Sequence, residues 1–407
     1  MAKLPDISTD WIDGYAEPVA CGYDALVETF NLHWPDALED RLDEKKLEAQ
    51  QLDTQGGGKV TLMFGGVEMQ MSAFGAKGGV SWWLSCPEFH IMIRRGGKNW
   101  NVTVKYQAVA LWCDGLDETR AAVRDALLQE MTPNCPQEAA QDELNWCTVS
   151  RADFAFDLHS AAFSAEMVPD ILNCILCNSK IKKHAVVDVW ERGGKLETIT
   201  IGKVNSLQIQ IYDKGREIRE ASGKEWMLEL WKKNGFKPED EEKITDVWRV
   251  EIRFGKSWLK NRRIPDGSRN LKTFEDLDSA LPELLCEALY SRRLVSKPRK
   301  IGGDTNKARW DVHPLFSECL IQSGDVGRTL PLGRIASGSR DEAAERLTRQ
   351  IAGTVRTLAV IKDGKCDDLE AMNLMVNDCY DTMRLDPDRQ RKEQKSQERY
   401  KHMGRAV

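Results

Sequence analysis

A membrane span is the first thing this 407-residue chain lacks, because no run of about 18 apolar residues occurs in it. Its opening, MAKLPDISTDWIDGY, has no apolar core of the kind a secretory signal carries, so secretion is not expected. A disulfide framework is also missing. The 11 cysteines follow no regular spacing, and an odd number in a large chain reads as a reduced, cytoplasmic protein. Cys174 and Cys177 are the only close pair, in ILNCILCNSKIKKH. Half a zinc site with His184 is the functional reading. No second CxxC completes the four ligands of a structural zinc, so two small apolar residues on a helix is the preferred one. The six histidines, at 33, 90, 159, 184, 313 and 402, contain no His-hydrophobe-His pair. Internal repeats and low-complexity blocks are absent as well.

Positive charge is in slight deficit, with 58 Lys and Arg against 64 Asp and Glu and a net charge of −6. The imbalance is local. Residues 1–53 hold 13 acids and 4 bases, a net of −9, which leaves +3 for the remainder. Basic clusters stand at 255–263, 291–300 and 388–401. Local clusters matter more than the total for contact with nucleic acid, although any one of them also reads as a solvated face.

What is present is an α+β pattern, mainly antiparallel sheet with covering helices, followed by a helical C-terminal region. Residues 1–55 read as an acidic segment, partly helical at LEDRLDEKKLEAQQL and ended by the glycines at 56–58. Residues 56–260 read as one α+β domain. Its first strand set is KVTLMFGG, GVSWWLS, EFHIMIRR and NVTVKYQAVALWC, followed by a helix at 117–131. Its second set is TVSRADFAFDL, LETITIGKV, LQIQIYDK and VWRVEIRFG, with helices near 164–178 and 222–234. Residues 261–385 read as helical, and 386–407 as a loose basic tail.

Side chains alternate across a strand, so period two sorts the second set into faces. Arg151, Asp153 and Asp157 share one face with Ala155. Gln208, Gln210, Tyr212 and Lys214 share one face of their strand. Arg249, Glu251 and Arg253 share another, as do Thr198, Thr200 and Gly202. Each strand thus has an apolar side for helices and a polar side. If the strands are neighbours, Asp153, Asp157, Glu251 and Tyr212 converge, ringed by three arginines.

A wet sheet face explains this pattern without function. A functional reading also exists. Carboxylates hold Mg²⁺ or Mn²⁺, the ion polarises a phosphodiester oxygen, arginines bind the phosphate, and tyrosine attacks phosphorus. Asp213 has the wrong parity for this group unless the strand ends or bulges there.

The order RADFAFDLH, TITIGKVNS, IQIYDKGREI, WRVEIRF resembles the replication initiation factor family, the rolling-circle initiators of certain plasmids and filamentous phages with related relaxases of conjugative elements. KARWDVHPLF and ERLTRQIAGTVRTLAVI resemble that family's helical tail segment, so the likeness runs over roughly residues 60–365. The resemblance implies a nicking–joining endonuclease in which Tyr212 becomes linked to a 5′ phosphate and frees a 3′ hydroxyl. It implies Asp153, Glu251 and Asp213 as ligands of Mg²⁺ or Mn²⁺, with Asp157 and Glu88 as weaker candidates. Arg151, Lys214, Arg249 and Arg253 become DNA-binding residues. The implied partners are origin DNA, a second copy in a homodimer, and a helicase. A conjugative relaxase with the same chemistry and a non-cutting DNA-binding regulator are the alternatives. The other six tyrosines read as packing or surface residues lacking carboxylates on a matching strand face. Trp82, Trp83 and Trp248 are the tryptophans singled out for stacking on unpaired bases.

Overall fold

The computed structural model describes residues 15–54, 60–96, 100–131, 136–166, 168–177, 187–192, 195–238, 244–296 and 306–323, with isolated positions between 377 and 393. Its strands are β1 (Glu17–Phe30), β2 (Val60–Phe64), β3 (Val67–Met71), β4 (Trp82–Ser85), β5 (Phe89–Ile93), β6 (Val102–Tyr106), β7 (Cys147–His159), β8 (Ile175–Cys177), β9 (Val187–Arg192), β10 (Lys195–Gly202), β11 (Leu207–Asp213), β12 (Val247–Gly255) and β13 (Arg292–Leu294). Its helices are α1 (Asp36–Thr54), α2 (Ala108–Cys113), α3 (Leu116–Met131), α4 (Gln137–Asn145), α5 (Ala161–Ser164), α6 (Val168–Asn173), α7 (Lys214–Glu217), α8 (Trp226–Lys233), α9 (Lys256–Leu259), α10 (Phe274–Ser279), α11 (Leu281–Ser291) and α12 (Pro314–Gln322). None of the described helices is long and apolar enough to cross a membrane.

Among the described residues, eleven strands form one sheet in the order β2-β3-β4-β5-β6-β1-β7-β12-β11-β10-β9, and β8 pairs with β13 outside it. Every neighbouring pair runs antiparallel. The expected α+β class with a mainly antiparallel sheet is what the chain adopts.

One face of the sheet carries the larger core. Phe154, Phe156, Ile209, Ile211, Ile252 and Phe254 pack there with Leu42 of α1, Leu127 of α3, Leu285 of α11 and Phe316 of α12. Burying one such side chain contributes about 1.5–3 kcal/mol, so this alternating apolar row drives the helices onto that side. The opposite face holds a smaller core at one end only. Trp112 of α2 and Trp226, Leu230 and Trp231 of α8 close over Val19, Ala20 and Ala155. Small residues make room for the indoles: a side chain at Gly22 would sit 3.3 Å from the Trp112 ring. At the end of β10, Gly202 has φ +107°, and a Cβ there would lie 2.2 Å from the Leu207 carbonyl oxygen. That position requires glycine on both counts.

Several expectations change. β1 stands in the middle of the sheet, so the sheet takes strands from both sides of residue 56. AVALWC is helix α2 rather than the continuation of a strand. β3 and β9 have no counterpart among the expected strands. The helix expected near 164–178 is two short helices, and Cys177 lies on β8. Neither Cys174 nor Cys177 forms a disulfide among the described residues, and His184 lies outside them. Within 261–385, read as helical, α10, α11 and α12 are helices and positions 377, 380 and 384 are helical, while residues 324–376 lie outside the described residues. In the basic tail, positions 389 and 393 are helical, with Arg389 Nε 2.8 Å from Glu393 Oε1.

Candidate active site

Pairing register brings the polar sides of the second strand set onto one surface. One cross-strand row reads Trp190–Thr198–Tyr212–Arg249–Asp157, and the next reads Asp188–Thr200–Gln210–Glu251–Ala155. A third reads Gly202–Gln208–Arg253–Asp153. Directly opposed residues share a face, so the alternation read from sequence is the alternation observed.

Tyr212 donates its hydroxyl hydrogen to Glu251 Oε2 at 3.2 Å. Burial pushes that hydroxyl well above the usual 10, while Arg249 beneath it pulls the other way. Glu251 has its carboxyl pushed up to about 7, first by burial and then by the negative charges of Asp24 and Asp153. Desolvation disfavours the charged form of both groups, and like charges compound this at the carboxyl. The result is a tyrosine hydrogen-bonded to an acid that ionises near neutrality.

Arginines surround this pair. Arg253 donates to Asp153 Oδ2 at 3.0 Å, to Gln208 Oε1 at 3.0 Å and to Glu251 Oε1 at 3.1 Å. Arg151 grips both oxygens of Asp153, with Nε 2.8 Å from Oδ1. Arg249 is fully buried and makes a fork to Asp157, at 2.6 and 2.8 Å, plus a 2.6 Å bond to Asp24. Indole N–H groups complete those acids: Trp231 donates to Asp157 at 2.8 Å and Trp112 to Asp24 at 2.9 Å. A buried guanidinium survives only with such full pairing, and both of its carboxylates are hydrogen-bonded in turn. Arg249 and Asp157 are therefore the fixed base of the site, while Arg151, Arg253, Gln210 and Tyr212 are half-buried and reachable.

Lys214 follows at the strand end, buried, 2.6 Å from Glu217 and 5.6 Å from the centre of the Tyr212 ring. Burial and the neighbouring Arg249 lower its proton affinity. Asp213 is elsewhere. It opposes Trp248 in register, on the side away from Glu251, and its carboxylate caps α7 by accepting from the Arg216 N–H at 2.9 Å. Glu88 lies in the turn between β4 and β5, next to Phe89 and away from these rows.

The trio expected for a divalent ion thus does not assemble. Asp153 and Glu251 share Arg253, Asp213 serves a helix, and both oxygens of Asp153 are held by guanidinium groups. Among the described residues, no three His, Cys, Asp or Glu side chains are arranged to hold a metal. As placed, Asp153, Asp157 and Glu251 are each paired with an arginine.

Asp24, Trp112 and Trp231 are the residues that sequence reading missed. Asp24 occupies a bulge in β1, where the register slips between Tyr23 and Ala25. No period-two pattern marks it, because the bulge breaks the alternation. The tryptophan readings also change. Trp82 and Trp248 are buried, bonded to Asp43 and Ser164. Trp83 is half-buried, tilted against His90 with ring centres 5.9 Å apart. Three other tyrosines do meet carboxylates: Tyr15 meets Glu166, Tyr23 meets Asp278 and Tyr106 meets Glu28.

Comparison of the chain with protein-family models and with curated proteins yields no match.

Proposed function

We propose that this protein is a DNA nicking–joining enzyme that initiates rolling-circle replication through Tyr212. The observation that carries the reading is the Tyr212–Glu251 hydrogen bond, 3.2 Å long, on a face lined by Arg151 and Arg253. A nucleophile beside a base matched to neutral pH, with anion-binding groups around it, is what covalent phosphoryl transfer needs.

The steps follow from the side chains. Ionised Glu251 takes the proton of the Tyr212 hydroxyl. The phenolic oxygen attacks phosphorus and forms the Tyr–O–P bond. The P–O3′ bond breaks, and the 3′ oxygen leaves and takes a proton from solvent. Arg253 and Arg151 are released from Asp153 to hold the phosphate oxygens, and Lys214 adds positive charge beside them. Arg249 stays in place and steadies the ring of Tyr212 above it. Reversal of the same steps joins the strands.

The resemblance adds a homodimer, a helicase and origin DNA as partners. Lys256 and Lys260 near α9 would track phosphates in a salt-sensitive way. A conjugative relaxase would use the same site and the same step, and the genes beside this one separate the two.

The test is covalent capture. Supercoiled plasmid carrying the gene and its flanks is incubated with the protein and with Mg²⁺ or Mn²⁺, and products are resolved before and after protease. Relaxed DNA with protein on its 5′ end, absent with Tyr212→Phe, supports the reading. DNA that is bound but never cut returns the regulator reading.

A further inference from the structure

The row that holds Tyr212 grades from closed to open. Asp157 and Arg249 are sealed beneath α2 and α8, Tyr212 is half-buried, and Trp190 at the sheet edge is 68% exposed. Trp190 opposes Thr198, which opposes Tyr212. Two strand spacings separate the indole from the phenol, about 10 Å, on the same face. A tryptophan left this open is costly in apolar exposure and is the informative kind of surface residue.

From this placement we infer that Trp190 is the stacking platform for an unpaired base next to the phosphate that Tyr212 attacks. The inference rests on the nicking reading and extends it to the substrate. DNA reaching Tyr212 must enter from the open end of the row, since the other end lies under Trp112 and Trp231. Its phosphate then meets Arg253, Arg151 and Lys214, and the flanking base lies over β9 and β10. A paired base has its faces covered by neighbours in the duplex, so only an unstacked one can lie on an indole. Thr198 and Gln210 line the way with uncharged polar groups. The acid nearest the open end of that face, Asp188, opposes Thr200 in the next row. The other exposed tryptophans differ. Trp100 and Trp146 line a cleft of about 370 Å³ together with Asp142 and Glu143, whose charge repels phosphate.

Fluorescence anisotropy decides it. The probes are a labelled oligothymidine of roughly 16 nucleotides and a duplex of equal length. Trp190→Ala should weaken the single strand by about tenfold or more, Trp190→Phe should restore most of the affinity, and the duplex should bind all three proteins alike. Trp190 is exposed on an edge strand, so both variants should keep the wild-type circular dichroism. Equal single-strand affinity in Trp190→Ala and wild type overturns the inference, as does an equal loss on the duplex. Covalent capture run alongside separates the two claims. Trp190-dependent binding without any adduct sinks the nicking reading and leaves the platform. An adduct with unchanged binding in Trp190→Ala does the reverse.

Discussion

Each half of the sheet holds a tyrosine whose hydroxyl donates to a glutamate, and the two pairs have opposite surroundings. In the first half, Tyr106 on β6 donates to Glu28 on β1 at 2.7 Å. In the second, Tyr212 on β11 donates to Glu251 on β12 at 3.2 Å. The halves also share a path. Each begins with a long strand, β1 or β7, and leaves through helices. Each then returns at the outer edge and walks back until β6 lies beside β1 and β12 beside β7. The first pair faces the helices: Tyr106 and Glu28 are fully buried, and Arg120 grips Glu28 at 2.9 and 3.2 Å while stacked 4.2 Å from the Phe274 ring. The second faces the open side. The same two side chains are thus sealed where helices cover them, and half-open at Tyr212 where no described helix does. Access, not residue type, separates them.

Breaking either pair should therefore give different losses. Tyr212→Phe has the largest expected effect, complete loss of covalent capture with stability within about 0.5 kcal/mol of wild type by urea unfolding. Glu251→Gln keeps the shape and removes the base, so capture should slow by about 10²–10⁴-fold in single-turnover assays. The wild-type rate should rise with pH and level off above about 7, where Glu251 becomes ionised. That rise should vanish in Glu251→Gln. The sign on stability is opposite. The folded-state proton affinity of Glu251 is raised from the ordinary 4.5, so its contribution is full below 4.5 and is lost as pH climbs through about 7. Unfolding measured against pH should show a flatter slope across that window in the Gln variant.

In the first half the losses should be of stability alone. Glu28→Ala removes the buried partner of Arg120, leaving it, among the described residues, only Glu275 at 2.9 Å, and should cost about 3–5 kcal/mol in urea unfolding, with the residual folded protein still able to capture DNA. Tyr106→Phe is smaller, about 1–3 kcal/mol, because it leaves a buried carboxylate one donor short. The smallest effect is expected at Asp24. Asp24→Asn removes one of the charges that hold Glu251 up, so the pH–rate curve should move to lower pH while the plateau rate stays within about tenfold of wild type. An unmoved curve would mean that burial and Asp153 raise the proton affinity of Glu251 without help from Asp24.

Much of the second half is legible in the sequence. RADFAFDL, LQIQIYD and VWRVEIRFG alternate cleanly, so Arg151, Asp153, Asp157, Tyr212, Arg249, Glu251 and Arg253 could be assigned to faces residue by residue, and the off-parity position of Asp213 was visible too. The first half was less legible. In GYDALVETF the bulges of β1 break the period, and its core face carries a glutamate, so the strand at the centre of the sheet does not read as one. AVALWC continues a strand in composition but turns into α2 after Gln107.

The sequence by itself determined which face each side chain takes, because the two-residue pleat is local and needs no distant partner. Tertiary structure alone decided that β1 lies against β7 and brings Asp24 to Arg249. It decided that indoles from α2 and α8 seal one end of the polar row and leave Trp190 and Tyr212 at the other. Those outcomes depend on contacts such as Trp231–Asp157, Trp112–Asp24 and Arg249–Asp24, between residues 74, 88 and 225 positions apart, and such contacts leave no period in the chain.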